Sequence, residues 1–249
     1  MCGRYVAAKD PAALAVEFDI DELPSIQLRP DFNVAPTKPV YIVAERFTER
    51  AQTQTQDQDL GVRMLSIARW GLVPGWAKDP SIGSRMINAR SESAAEKPSF
   101  RSAVAKRRCL IPADGYYEWR PAAEPKGRKQ PFYIHPTGAS SLAMAGLYEW
   151  WRDPTRDESD EQAWMLSCAV LTTSAQGHLA DIHDRMPGTI ARGDWDSWLD
   201  PRHRVDLQSY LERGWSEQNL TIDEVSTAVN SVRNNGPELI APVPPGTDR

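Results

Sequence analysis

Apolar and polar positions alternate with a period of two along most of this chain, and that alternation predicts strands. The runs "CGRYVA", "KPVYIVAERF", "VRMLSIARWGL", "QPFYIHP", "SLAMAGLYEWW" and "QAWMLSCAVLTT" all read as β structure bounded by polar connectors. The polar run "TERAQTQTQDQD" reads as a hairpin loop, and "CLIPADGYYEWR" as a strand interrupted by a turn at Asp114-Gly115. Beyond that turn the alternation sends Tyr117 and Trp119 to one face and Tyr116, Glu118 and Arg120 to the other. Helical signals are short. "DPAALAVEF" opens with Asp10 as N-cap and Pro11 at the first helical position. "SFRSAVAKR", a segment from about Ser174 to His183, and one near Leu207 to Arg213 complete the helices.

No repeat and no shift of composition divides the chain. The pattern predicts one α+β domain over residues 1–235, built mainly on antiparallel sheet with short peripheral helices. Residues 236–249 read as a Pro-rich extended tail.

Composition narrows the classes of function. The 249 residues are 41% hydrophobic and 25% charged, as in an ordinary globular protein with a sizeable core. No stretch approaches the roughly 18 apolar residues of a membrane span, and no basic region followed by an apolar run marks a signal peptide. Cys2, Cys109 and Cys168 are odd in number and widely spaced, which suits a reducing cytoplasm better than a disulfide framework or a zinc knuckle. The expected location is therefore the cytoplasm, at the nucleoid for a bacterial chain. Net charge is −5, yet Ser84 to Gln130 holds eleven Lys/Arg against five Asp/Glu, a local +6. The densest part is "KRRCLIP", with Lys106, Arg107 and Arg108. Such a surplus permits a local polyanion site, although a helix end also favours cations.

The chain lacks a G-x-S-x-G elbow, H-E-x-x-H, a P-loop and G-x-G-x-x-G. His178 and His183, five apart on a predicted helix, would point about 140° apart at 3.6 residues per turn, so they share no metal. No metal and no cofactor is expected. Four residues carry possible chemistry. Cys2 follows Met1 directly, so removal of the methionine would leave an α-amine and a thiol on one residue, with pKa values near ~8 and ~8.5. Such a 1,2-aminothiol adds to an aldehyde as a Schiff base and closes to a thiazolidine. Glu118, flanked by aromatics, is a candidate general acid or base, or else a charge on a wet sheet face. His183 in "DIHDRMP" is a proton shuttle or a helix cap. Asn88 in "INARSE" positions an oxygen or makes a turn.

The blocks "MCGRY", "FNVAPT", "RWGLVPGWA", "INARSE", "RRCLIPADGYYEW" and "HDRMP" stand in the order seen in the SOS response-associated peptidase (SRAP) family. The chain resembles that family from Cys2 to about Trp198. Residues 52–59, the loop near Arg156 and the tail look individual. The resemblance implies a compact β-rich fold with a basic groove, and a protein that shields abasic sites in single-stranded DNA by covalent crosslinking and releases its own Met1. It makes Cys2 the crosslinking nucleophile and places Asn88, Glu118 and His183 in its pocket. Arg4, Trp70, Arg90 and Arg185 match the positions that hold backbone and displaced bases.

The residues read by themselves agree on chemistry. Ring-opened abasic deoxyribose is an aldehyde, the partner a 1,2-aminothiol captures best. His183 would protonate the ring oxygen, Glu118 would move protons at the amine, Asn88 would bond the amine or a sugar hydroxyl, and Trp70 would offer an apolar plane. The expected partner is single-stranded DNA containing abasic sites, bound by a monomer with no membrane attachment. An N-terminal-nucleophile hydrolase uses the same residues. A non-catalytic nucleic-acid-binding module would leave Cys2, Glu118 and His183 idle.

Overall fold

The structure is a computed structural model that describes residues 2–47, 61–122, 127–157, 159–215 and 217–244. Twelve strands are described: β1 Tyr5–Ala7, β2 Asp31–Val34, β3 Pro39–Arg46, β4 Val62–Trp70, β5 Asn88–Arg90, β6 Arg108–Ala113, β7 Gly115–Arg120, β8 Gln130–Pro136, β9 Leu142–Arg152, β10 Trp164–Ser174, β11 Arg185–Pro187 and β12 Leu220–Glu224. Five short helices accompany them: α1 Pro11–Phe18, α2 Ser91–Ala94, α3 Arg101–Lys106, α4 Trp195–Leu199 and α5 Leu207–Glu212.

One sheet runs β12-β8-β7-β1-β2. In the other, β10, β4, β3, β6 and β9 close on themselves, because β9 pairs with both β6 and β10. The contact between β3 and β6 in that ring is the single pair Val43↔Leu110. Pairing is mainly antiparallel, with β10 running parallel to β4 and β5. The period-two pattern maps onto two cores. Val43, Leu65, Leu110, Leu147 and Leu171 face the helices, while Ile42, Trp70, Ile111, Met144, Cys168 and Val170 face the smaller sheet.

The predicted break at Asp114-Gly115 is where the chain passes from one sheet to the other, from β6 to β7. Gly115 is required there, since a Cβ would lie 2.6–2.7 Å from the Tyr133 ring and the Ile134 carbonyl. The α1 cap is as predicted: Asp10 accepts from the N–H groups of Ala12 and Ala13 at 2.9 Å. The strands β3 and β4 pair antiparallel from Pro39↔Arg69 to Arg46↔Val62, as a hairpin requires. Its polar loop at 48–59 lies outside the described residues.

Two expectations fail. The helix expected over 174–183 is one 3-10 stretch, Gly177–Asp181, with His183 beyond its end. The angle drawn between His178 and His183 therefore does not apply. Over the described residues 236–244 the expected loose tail is not seen. Leu239 is 1% exposed in a core with Val6, Tyr117 and Val229, and the Val243 N–H bonds the Glu224 carbonyl at 2.8 Å. Apolar side chains at Leu239 and Ile240 outweigh the prolines around them.

Candidate functional site around Cys2

The antiparallel register of β1 and β7, Tyr5↔Tyr116 and Val6↔Gly115, builds the site. Continued toward the N-terminus through the Tyr117 N–H to Arg4 carbonyl bond, it sets Glu118 beside the Cys2–Gly3 stretch. From the other sheet, β5 lies parallel to β10 with Asn88 opposite Val170. Asn88 Nδ2 donates to the Cys2 carbonyl at 2.7 Å, so an amide from one sheet pins the backbone of the other. The segment between β4 and β5 reaches Asn88 through a close backbone approach. Gly71, at φ +131°, meets Gly83, and a Cβ on Gly71 would stand 2.5 Å from the Gly83 carbonyl.

Cys2 is fully buried against Tyr5, Trp70, Tyr116 and Met186. Burial pushes its thiol well above the ordinary range, and the neighbouring Glu118 carboxylate pushes it further. Glu118 is 4% exposed, so it is not a charge on a wet face. Desolvation raises its carboxyl pKa, with the His183 ring pulling the other way. Burial likewise raises the Tyr116 phenol, with Cys2 and Glu118 adding to the effect. Cys2, Tyr116, Glu118 and His183 thus form one electrostatically connected group. His183 Nδ1 lies 3.0 Å from the Arg185 N–H and 2.8 Å from Asp184 Oδ1. Asn88 Oδ1 is buried with no hydrogen-bond partner, an acceptor available to an incoming donor.

The residues expected to hold DNA divide. Arg90 is exposed at the end of β5. Arg4 is half-buried, with Nη1 donating to Asn33 Oδ1 at 2.7 Å and to the Val229 carbonyl at 2.9 Å. Arg185 is buried and grips Glu92 through two bonds of 2.6 and 2.9 Å, and the Thr172 carbonyl at 2.6 Å. Trp70 is 0% exposed, edge-on to Tyr5 at 5.1 Å, and its Nε1 donates to the Ile87 carbonyl. It presents no face to a strand; it is a wall behind Cys2, because β4 points it into the core between the sheets.

An exposed aromatic does occur six residues on. Trp76 is 61% exposed, beside Lys78 and Arg85 in the β4–β5 segment. The sequence signal was the unpaired turn "PGW", in which a tryptophan breaks the strand pattern. The basic run at 106–108 is largely structural. Arg107 pairs with Glu149 at 2.6 Å, and buried Arg108 holds the carbonyls of Val104, Ala105 and Trp198. A separate cleft of about 320 Å³ between Trp195 and Trp215 shares no lining residue with this site. Among the described residues no group of His, Cys, Asp and Glu has the arrangement of a metal site, and no helix is long and apolar enough to cross a membrane.

Comparison with known proteins gives the family. The chain is 37% identical over 243 residues to the abasic site processing protein YoqW of Bacillus subtilis, covering 96% of this chain and 99% of that one. It is 32% identical over 244 residues to the abasic site processing protein HMCES of Xenopus tropicalis, covering 88% of this chain and 68% of that one. Among solved structures, a protein of Bacteroides thetaiotaomicron superposes with a TM-score of 0.77 over 97% of this chain and all of its own, at 21% identity. A phage-related protein of Bordetella bronchiseptica gives 0.62 at 27% identity, over 90% of this chain and 94% of its own. Residues 1–232 match the family described as SOS response associated peptidase (SRAP), and the chain belongs to that family.

Proposed function

We propose that this protein processes abasic sites, and that it does so by capturing the ring-opened sugar in single-stranded DNA on Cys2. The observation that carries the reading is the junction at Cys2. Its carbonyl is fixed by Asn88 from one sheet, and its thiol sits beside the buried Glu118 of the other. Two relatives spanning most of the chain are named as abasic site processing proteins.

Removal of Met1 by the chain itself frees the Cys2 amine, which accounts for a peptidase family name. The amine adds to the sugar aldehyde, and the carbinolamine loses one water to give a Schiff base. The thiol then adds across C=N: a C–S bond forms, the S–H proton passes to nitrogen, and a thiazolidine results. Burial holds the thiol protonated until that step, so sulfur attacks as its proton leaves for nitrogen by way of Glu118. Glu118, its carboxyl pKa raised by burial, accepts and returns protons at the amine. His183 protonates the ring oxygen to open the deoxyribose. Asn88 Oδ1 accepts from the freed amine. Arg4 and Arg90 hold phosphates, and Trp76 takes the stacking role that buried Trp70 does not fill. The protein acts as a monomer.

Hydrolysis by Cys2 as an N-terminal nucleophile would draw on the same residues, and the two readings part at the product. Incubation with an abasic oligonucleotide, followed by a denaturing gel and intact mass, tests the reading. The adduct should weigh the sum of processed protein and oligonucleotide less one water. Peptidase turnover with no such adduct would overturn it.

A further inference from the structure

Asn33 on β2 is a polar side chain with 0% exposure, and all of its polar groups are spent. Its oxygen accepts from Arg4 Nη1 at 2.7 Å. Its nitrogen faces three carbonyls of the C-terminal segment: Asn234 at 2.9 Å, Ser231 at 3.0 Å and Val229 at 3.3 Å. The Val229 carbonyl also takes Arg4 Nη1. The same segment holds Trp119, whose Nε1 donates to Asn230 Oδ1 at 2.7 Å and whose ring lies 5.8 Å from the Arg4 guanidinium carbon. One stretch of backbone, residues 229–234, therefore fixes Arg4 through Asn33 and lines it with an aromatic wall.

A guanidinium is a rigid plane with five N–H groups. With Nη1 spent on Asn33 and Val229, the edge formed by Nε and Nη2 is left. Nε is buried with no partner, and Nη2 donates to none of the described residues. That edge is the fork that matches two oxygens of a phosphate. A buried donor without an acceptor costs free energy until a ligand supplies one. We infer that Asn33, tied to the 229–234 backbone, is the positioning residue that aims the Nε–Nη2 edge of Arg4 at a phosphodiester of the bound strand. This rests on the proposed binding of single-stranded DNA and gives the C-terminal segment a part in it. Without Asn33 the Nη1 group turns to other acceptors, and the fork is no longer held toward the ligand.

The test uses full-length protein and an undamaged single-stranded oligonucleotide, with affinity read by fluorescence anisotropy across a salt series. Arg4→Ala should lower the salt slope by about 0.7, one phosphate contact on a single strand. Asn33→Ala should lower it by the same amount, and the double variant should lose no more than either alone. On abasic DNA, Asn33→Ala should raise the half-saturating concentration about tenfold and leave the saturated crosslinking rate unchanged. Thermal unfolding checks that each variant is folded. If Asn33→Ala does not fold, Asn33→Ser carries the same expectation. A wild-type slope in a folded Asn33 variant, with the slope lowered in Arg4→Ala, overturns the positioning role. An unchanged slope in Arg4→Ala instead overturns the assignment of Arg4 to DNA.

Discussion

Two buried glutamates at opposite places in the fold show what separates a structural carboxylate from a chemical one. Glu45 on β3 is 9% exposed at its side chain and receives Arg63 Nε and Nη2 at 3.0 and 2.6 Å. Arg63 also reaches Asp196 at 2.6 Å and the Phe18 carbonyl at 3.2 Å, so that one cation ties β4 to two helices. Glu118 on β7 is buried more deeply, and desolvation raises both carboxyls. The difference is in the neighbours. The guanidinium beside Glu45 keeps its charge, and its partners raise its pKa further. Glu118 stands instead in the field of a thiol, a phenol and an imidazole. Burial makes a carboxyl unusual, and the neighbours decide whether it can act.

The widest break between these regions is at Cys2. Cys2→Ala should remove the heat-stable covalent band with abasic DNA, and an uncleaved N-terminal extension, which blocks the amine, should remove every covalent band. Cys2→Ser keeps the amine and should give an adduct that survives heat only after borohydride reduction. A heat-stable adduct from Cys2→Ser without reduction would discard ring closure.

Next in size, Glu118→Gln should slow crosslinking by about 10²–10⁴-fold, the range of a positioned acid or base. Reversal should slow with it, because an equilibrium catalyst works in both directions. Glu45→Gln should leave the time course unchanged and cost about 2 kcal/mol through the weakened charged hydrogen bonds to Arg63, about 4–8 °C in Tm. Equal slowing by both substitutions would mean the contrast is one of stability alone.

His183→Ala should slow the reaction with natural abasic DNA and matter much less for an open-chain aldehyde substrate. Equal slowing on both would make His183 structural.

Smaller effects separate the arginines. Exposed Arg90→Ala should lower the salt slope of single-strand binding by about 0.7. Arg185→Ala should leave the slope as it is and lower Tm, because its Nη groups are held by Glu92 and Thr172. A lowered slope in Arg185→Ala would mean that the Glu92 pair opens to admit DNA.

The smallest effect is on stability against pH. The folded carboxyl of Glu118 titrates above its unfolded value, so between the two the folded state binds more protons. Stability contributed by this group is present below the unfolded pKa and is lost as pH rises through the folded one. Glu118→Gln should flatten that fall in Tm. A steeper fall in the variant would reverse the sign of the shift.

Local pattern carried much of the fold. Period-two alternation marked β3, β4, β8, β9 and β10, and the Asp10-Pro11 pair marked the start of α1. Alternation also put Tyr116 and Glu118 on the face opposite Tyr117, and the two tyrosines do lie in different cores. The short strands β2, β5, β11 and β12 were not marked, since three to five residues carry too little period to read. The candidate site was legible because Cys2, Asn88, Glu118 and His183 sit in distinctive blocks. Their roles against Trp70 and Arg185 were not, because a residue's type does not say which way its strand turns it.

The sequence by itself determined the longer strands, the chemistry that a cysteine behind Met1 can offer, and the family. Tertiary structure alone decided which charges are free. Arg185, Arg107 and Arg108 look like Arg90 in a string of letters, and they differ because folding brings a carboxylate or a row of helix-end carbonyls against three of them. It also decided that Leu239 anchors the C-terminal segment in a core, since Leu239 joins Val6 and Tyr117 only once β1 and β7 have paired. These decisions depend largely on contacts between residues far apart in the chain, whose energy comes from burial that exists only in the closed fold.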